Sequence, residues 1–296
     1  MDICLECIYC TINRTDSLFS QYEKDEEKKL EFMKKVFNII LTLKKEDTSP
    51  YLNSQVIRAL NDELDLGDIY HDIKIKYNNL LLSMEGEILN FINNSDDKVL
   101  TALKYAMVGN FIDFGAMDSV DVNELKRLIK NAKDQPIDEV EYKNFIGELK
   151  NAKKVAYIID NAGEIVFDKV FIDVIKKTYP EIDIDVIVRG KPIYNDATIL
   201  DAEDVGMYKI ANVIENGTNI PGTQLDKINE KSRHAILSAD LIISKGQGNF
   251  EGLYGCGKNI YYIFLCKCDL FVKRFNMKKF TGIFANEKNI RNMIAK

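Results

Sequence analysis

Only two histidines, His71 and His234, occur in 296 residues. Neither belongs to a His-Glu-x-x-His or paired-histidine pattern, which all but excludes a histidine-ligated zinc hydrolase, and a Ser-His-Asp triad as well unless His234 supplies its base. Both read as surface or packing residues. No segment reaches the ~18 to 20 uninterrupted apolar residues of a membrane span. The opening Met1-Asp2-Ile3-Cys4-Leu5-Glu6-Cys7 has no basic stretch ahead of an apolar one, so a cytoplasmic protein is expected. The Asn-x-Ser/Thr matches at Asn13, Asn93 and Asn216 then carry no weight. A formal charge of −6 without a long basic stripe argues against nucleic acid as a partner. The six cysteines fall into two groups, Cys4, Cys7 and Cys10 against Cys256, Cys266 and Cys268. That is not the regular spread of a disulfide scaffold, and reduced thiols are expected.

What is present is enough for a sizeable core, with 46% apolar and 29% charged residues. Residues 1–150 read as almost entirely helical. Glu23 to Lys45 carries Leu30, Phe32, Met33, Val36, Phe37, Ile39, Ile40 and Leu43 at mixed spacings of three and four, an amphipathic stripe that faces a core. Further helices are predicted over Pro50–Leu64, Asp68–Asn93, Asp97–Phe111, Val122–Ala132 and Ile137–Asn151, without a fixed repeat period. From Lys154 onward short apolar runs alternate with helical stretches. Strands are predicted at Val155–Asp160, Ile184–Arg189, Tyr208–Ile214, Leu241–Lys245, Ile260–Leu265 and Gly282–Ala285, with helices at Ile165–Thr178, Asp196–Asp204 and Gln224–Ser238. This alternation implies right-handed crossovers and a mainly parallel, doubly wound α/β sheet. Two domains are expected, a helical bundle over 1–150 and an α/β domain over 151–296, with no Gly/Ser-rich linker between them.

The carboxyl ends of these strands carry polar clusters. Asp160, Asn161 and Glu164 follow the first, Arg189, Gly190, Lys191, Asn195 and Asp196 the second, Lys245, Gly246, Gln247, Gly248, Asn249 and Glu251 the fourth, and Lys267 the fifth. In a parallel sheet these ends converge on one edge, where ligands bind. Asp160, Asn161 and Asp196 offer oxygen ligands suited to magnesium, manganese or cobalt. Lys245, Lys267 and the glycine-flanked backbone at 246 and 248 are candidates for holding phosphate. Taken singly, Asp-Asn after a strand, Asp196 before Ala197-Thr198, and Lys245–Gly248 are equally ordinary caps and turns. Gly252-Leu253-Tyr254-Gly255-Cys256-Gly257-Lys258-Asn259 imitates a P-loop, but Asn259 replaces its Ser/Thr and a strand follows where a helix is required.

Several ordered stretches resemble the damage-control phosphatase family, formerly domain of unknown function 89, over essentially the whole chain. They are Cys4-Leu5-Glu6-Cys7, Gly109-Asn110-Phe111-Ile112-Asp113-Phe114-Gly115, Asp160-Asn161-Ala162-Gly163-Glu164, Arg189 to Thr198, Lys245 to Glu251, and Lys267. The short Cys-x-x-Cys form resembles the compact archaeal and bacterial branch. The resemblance implies a helical amino-terminal domain on an α/β domain, and hydrolysis of small phosphomonoesters, sugar phosphates or damaged metabolites, with manganese, cobalt, nickel or magnesium. By the same resemblance the metal ligands fall on Asp160, Asn161 and Asp196, the phosphate loop on Lys245, Gly246, Gln247, Gly248 and Asn249, and the substrate lysine on Lys267. Longer members carry Arg-Thr-x-Lys there, whereas Phe264-Leu265-Cys266 precedes Lys267 here.

On this expectation the attacking group is water or Asp160 itself. Glu164 either orients a ligand or completes a first helical turn, and Asn110, Asp113, Cys4 and Cys7 are possible pocket residues. Two other readings compete. One is a non-catalytic metal or thiol-cluster protein built on the cysteines. The other is a Rossmann-like cofactor-binding methyltransferase, disfavoured because no Gly-x-Gly-x-x-Gly follows the first strand.

Overall fold

A computed structural model describes residues 1–110 and 122–294. Helix α1 (Leu5–Tyr22) has no counterpart among the individually predicted helices, because its buried positions mix Thr11 and Thr15 with Leu18 and Phe19 and so blunt the apolar periodicity. Helix α2 (Glu26–Leu41) begins at Glu26 rather than Glu23 because the Asp25 carboxylate accepts the Glu27 and Lys28 N–H groups. Helix α3 (Ser49–Leu64) is capped by Thr48, with proline in its first turn. The single helix predicted from Asp68 to Asn93 is two, α4 (His71–Leu82) and α5 (Glu85–Asn93). Between them the Ser83 hydroxyl donates back to the Leu80 carbonyl at 2.6 Å and ends the first. Helices α6 (Lys98–Gly109), α7 (Val122–Lys130) and α8 (Glu139–Asn151) complete this half.

The sheet contains β1 (Lys154–Ile158), β2 (Asp183–Val188), β3 (Asn212–Glu215), β4 (Leu241–Lys245), β5 (Ile260–Leu265) and β6 (Gly282–Asn286) in the order β3-β2-β1-β4-β5-β6. The first five are parallel, and β6 pairs antiparallel with β5. Strand β3 is shorter than predicted, since a 3-10 turn at Met207–Lys209 occupies its expected start. Helices α9 (Glu164–Thr178), α10 (Ile199–Asp204), α11 (Glu230–Ser238), α12 (Gln247–Leu253), α13 (Asp269–Phe275) and α14 (Glu287–Met293) connect or follow the strands. Helix α10 starts at Ile199 behind a Thr198–Asp201 capping box, and α11 at Glu230 behind the Asn229 cap, both later than the apolar pattern alone suggests. Among the unpredicted helices is α12, within the glycine-flanked stretch.

Each sheet face has its own core. Val155, Tyr157, Val186, Ile243 and Tyr261 form one core with Leu81, Leu103, Phe145, Phe167 and Phe171, so apolar packing continues across residue 151 from the helical half into the sheet. Ala156, Ile158, Ile242, Tyr262 and Phe264 face the other way, against Ile236, Phe250, Phe271 and Ile290. Helices α1 to α3 hold a third core around Phe19, Phe32, Val36, Leu52 and Leu60. They meet the sheet edge through Arg58, which donates to Asn219 at 3.0 Å, and through Arg14, whose guanidinium lies 3.9 Å over the Tyr194 ring. No helix among the described residues is long and apolar enough to cross a membrane.

Candidate active site

The strand order reverses direction between β1 and β4, the point at which open α/β sheets bind ligands. Asp160 and Asn161 follow β1 there. The segment after β2 turns back to meet them: Ala162 N–H donates to the Asn195 carbonyl and Ala197 N–H to the Asp160 carbonyl, both at 2.9 Å, and Asn161 and Asp196 form an antiparallel bridge. Two loops distant in sequence are thus tied backbone to backbone, with Asp160, Asn161 and Asp196 side by side.

Close approach from β4 completes this corner. Gly246 has φ +81°, and a methyl group on it would overlap the Asp160 carboxylate, so glycine is required both for the backbone angle and for the space. Gly248 and Gly252 likewise leave no room between α12 and the carbonyls of Pro221 and Thr223. Helix α12 is fixed from behind by Phe250, which lies within 6 Å, centroid to centroid, of Tyr254, Tyr262, Phe264, Phe271 and Phe275 (4.9 to 5.8 Å).

Asp160, Asn161 and Asp196 open onto a cavity of about 200 Å³, shared with Gln247, Gly248 and Lys267. Its other walls are Tyr194, Asn195, Pro221 and Glu251 and, from α1 and α3, Arg14, Ser49, Pro50 and Asn53. The α1 and α3 residues carry no strand-end signal and are found only once the chain is folded.

Behind the cavity lies a sealed polar layer. Asn110 Nδ2 donates to both Glu164 oxygens at 3.1 and 3.0 Å and to Asp160 Oδ2 at 3.3 Å, and Asn161 Nδ2 donates to Asp160 Oδ2 at 2.9 Å. Lys245 departs from the expected phosphate-facing position. It shares the strand parity of Leu241 and Ile243, which turns it towards α9, and its ammonium lies 2.5 Å from Glu164 and 2.7 Å from Asp168 with no exposure. Glu164 and Asn249 are also fully buried and off the cavity wall. Asn249 acts as a clamp: its amide nitrogen donates to the Ile159 and Lys245 carbonyls, and its oxygen accepts from Arg189 and Thr223. Arg189 Nε donates to Asp196 Oδ2 at 2.7 Å and fixes that carboxylate. Cys4 and Cys7 lie at the start of α1, 3.4 Å apart sulfur to sulfur and off the cavity wall, and Asp113 lies outside the described residues.

Electrostatics divide along the same line. Burial, then the Glu164 and Asp196 carboxylates, push the Asp160 carboxyl up to about 8 against the pull of Lys267 and Arg189. Burial would lower Lys245, but Asp168 and Glu164 outweigh it and hold the ammonium up at about 12. All six cysteines are free thiols. Among the described residues no three His, Cys, Asp or Glu side chains gather as a metal-ligand group, so the thiols build no cage there. The site corner itself is two carboxylates and an amide.

The family model for the damage-control phosphatase ARMT1-like domain matches residues 3–281. This chain belongs to the damage-control phosphatase family. A damage-control phosphatase of Archaeoglobus fulgidus is 33% identical over 74% of this chain and 76% of that protein. One from Pyrococcus horikoshii is 28% identical over 94% of this chain and 96% of that one. An uncharacterised protein of Methanocaldococcus jannaschii is 34% identical over 89% of this chain and 88% of its own length. The crystal structure of a DUF89-family protein from Pyrococcus horikoshii superposes with a TM-score of 0.85 at 25% identity, covering 97% of this chain and 99% of that one. Family membership and the relatives' names support phosphatase chemistry, and the doubly wound α/β architecture is shared.

Proposed function

We propose that this chain hydrolyses small phosphorylated metabolites, sugar phosphates or damaged metabolites, using a divalent metal, manganese, cobalt, nickel or magnesium, held by Asp160, Asn161 and Asp196. The observation that carries this reading is the pairing of the two loops, which sets two carboxylates and an amide side by side on one cavity wall at the β1/β4 crossover. The residues fit such an ion. The donors are all oxygens, Asn161 turns its nitrogen towards Asp160 and Glu164 and thereby its carbonyl away from them, and Asp160 is crowded by two other carboxylates that a cation would relieve. When bound, the ion supplies charge neutralisation at the phosphoryl oxygens and a more acidic water.

The remaining work falls to side chains. Lys267, on the same wall, pairs with phosphate oxygens, and the first-turn amides at Gln247 and Gly248 donate to them. Arg189 and the Asn110–Glu164 contacts hold Asp196 and Asp160 at fixed orientation. Lys245 neutralises Glu164 and Asp168 beneath the site and makes no contact with substrate.

The test is phosphate release from a panel of sugar phosphates and an aryl phosphate, by metal-stripped protein given manganese, cobalt, nickel or magnesium. Release should require metal and fall at least a hundredfold in Asp160→Ala and Asp196→Ala with melting behaviour retained, an estimate of about 3 kcal/mol of lost transition-state stabilisation. Release that is metal-independent, or undiminished in both variants, would overturn the assignment.

A further inference from the structure

A second set of buried groups joins the same two loops from the side away from the cavity. Gly163, in the loop that carries Asp160 and Asn161, has φ +72° and begins α9, where backbone N–H groups find no acceptor within the helix. Its N–H donates to Asn78 Oδ1 on α4 at 2.6 Å. The other end of that amide, Asn78 Nδ2, donates to Asp201 Oδ1 at 3.0 Å. Asp201 Oδ2 accepts the Thr198 N–H at 2.8 Å and the Thr198 hydroxyl at 2.9 Å, and Thr198 closes the loop that carries Asp196. Lys74 stands 3.5 Å from Asp201 and 3.3 Å from Asp68 as the counter-charge. Lys74, Asn78, Thr198 and Asp201 are all buried.

We infer that Asn78 and Asp201 are positioning residues for the metal site, fixing the distance between the Asp160–Asn161 loop and the Asp196 loop; this rests on the metal reading proposed above. The backbone bridge ties the loops on the cavity side, and the Asn78–Asp201 pair ties them behind. With both ties the three ligands cannot move apart without breaking a buried hydrogen bond. Simple adhesion of α4 to α10 would be better served by apolar groups, because a buried carboxylate and ammonium cost desolvation that packing alone does not recover. The polar pair is directed at two backbone N–H groups, one in each ligand-bearing loop. Outer partners of metal ligands typically change affinity by about 10- to 100-fold.

The experiment measures manganese affinity of the metal-stripped full-length chain by calorimetry, without substrate and well below the melting temperature. The variants are Asn78→Ala, Asn78→Asp, Asp201→Asn, and the double Asn78→Asp/Asp201→Asn, which exchanges amide and carboxylate and restores their pairing. Each single variant should weaken manganese binding about tenfold or more. At saturating manganese the KM for a phosphate ester should stay within about threefold of wild type, and the double variant should recover most of the lost affinity. Asp201→Asn keeps an acceptor for the Thr198 N–H, adds no buried charge, leaves Lys74 its Asp68 partner and is nearly isosteric, so it carries the test if the alanine variant fails to fold. Folded single variants with wild-type manganese affinity, or a double variant that recovers melting temperature but no affinity, would overturn the inference. A wild-type protein that binds no manganese, magnesium, cobalt or nickel would instead overturn the metal reading on which it stands.

Discussion

Lys245 and Lys267 lie at the carboxyl ends of neighbouring parallel strands, one on the last strand residue and one just beyond, and look interchangeable as phosphate ligands, yet the fold gives them opposite surroundings. Lys245 is the last residue of β4 and shares the side of the sheet that Leu241 and Ile243 occupy, so it points into the interior and is neutralised by Glu164 and Asp168. Lys267 lies past the end of β5, where strand alternation no longer dictates direction, and stands half-buried on the cavity wall with Asp160 within its electrostatic reach. A lysine inside a strand inherits the strand's facing, whereas one beyond its end is placed by the loop. A buried, neutralised cation and a cavity-facing one can therefore sit at the same sheet edge in opposite surroundings.

The comparison breaks most visibly at Lys245. Lys245→Ala should lose about 3–5 kcal/mol of stability, because it leaves the Glu164 and Asp168 carboxylates buried without their cation. Chemical denaturation reads this directly, and a loss below about 1 kcal/mol would mean the buried pairing is not structural. Gly246→Ala comes next. It combines a backbone that essentially only glycine adopts (φ +81°, ψ 155°) with a methyl group against the Asp160 carboxylate, so a stability cost of about 1–3 kcal/mol should accompany weaker metal binding. Calorimetric titration with manganese checks the second effect, which must exceed that of an alanine at Gly86, where a side chain meets open space. Lys267→Ala sharpens the contrast from the other side. Its KM for a phosphate ester should rise about 10- to 100-fold, the worth of one charge-assisted hydrogen bond, with unfolding almost unchanged.

Much of this was legible in the chain itself, for physical reasons that also mark where legibility ends. Strands β1, β2, β4 and β5 are nearly continuous apolar runs because both faces of a parallel sheet are covered, and their polar ends locate the site edge. The pairing of Asp160 and Asn161 with Asp196 follows from two loops meeting at that edge. Helix α12 was hidden because the glycines at 246 and 248 read as a turn or phosphate-approaching loop and Gly252 as the start of a P-loop imitation. They are there for close approach to Asp160, Pro221 and Thr223, while Phe250 and Leu253 supply the buried anchor. Asn249 looked like a phosphate contact and is a buried clamp for Arg189. Arg14 sits on α1, whose apolar periodicity is blunted by buried threonines, and Asn53 on α3, whose periodicity says only that one face is buried. Nothing local indicates that their other face closes a cavity at the far end of the chain.

The smallest expected effect concerns the cost of keeping the corner acidic. With Asp160 held up at about 8 and an unfolded aspartate near 4, the metal-free native chain keeps a proton between roughly pH 4 and 8 that the unfolded chain has already lost. Stability therefore falls as pH rises through that window. Asp160→Asn removes the penalty, so the metal-free variant should melt above wild type at pH 8, by about 2 to 4 °C for roughly 1 kcal/mol, and lose that advantage towards pH 4. Saturating manganese should reverse the order at pH 8, because the ion stabilises only the chain that binds it. Thermal scans of both proteins at pH 5 and pH 8, with and without manganese, separate the cases. Equal melting temperatures throughout would mean that Asp160 is already satisfied without a cation, and that the crowding of carboxylates around it is not what prepares the corner for metal.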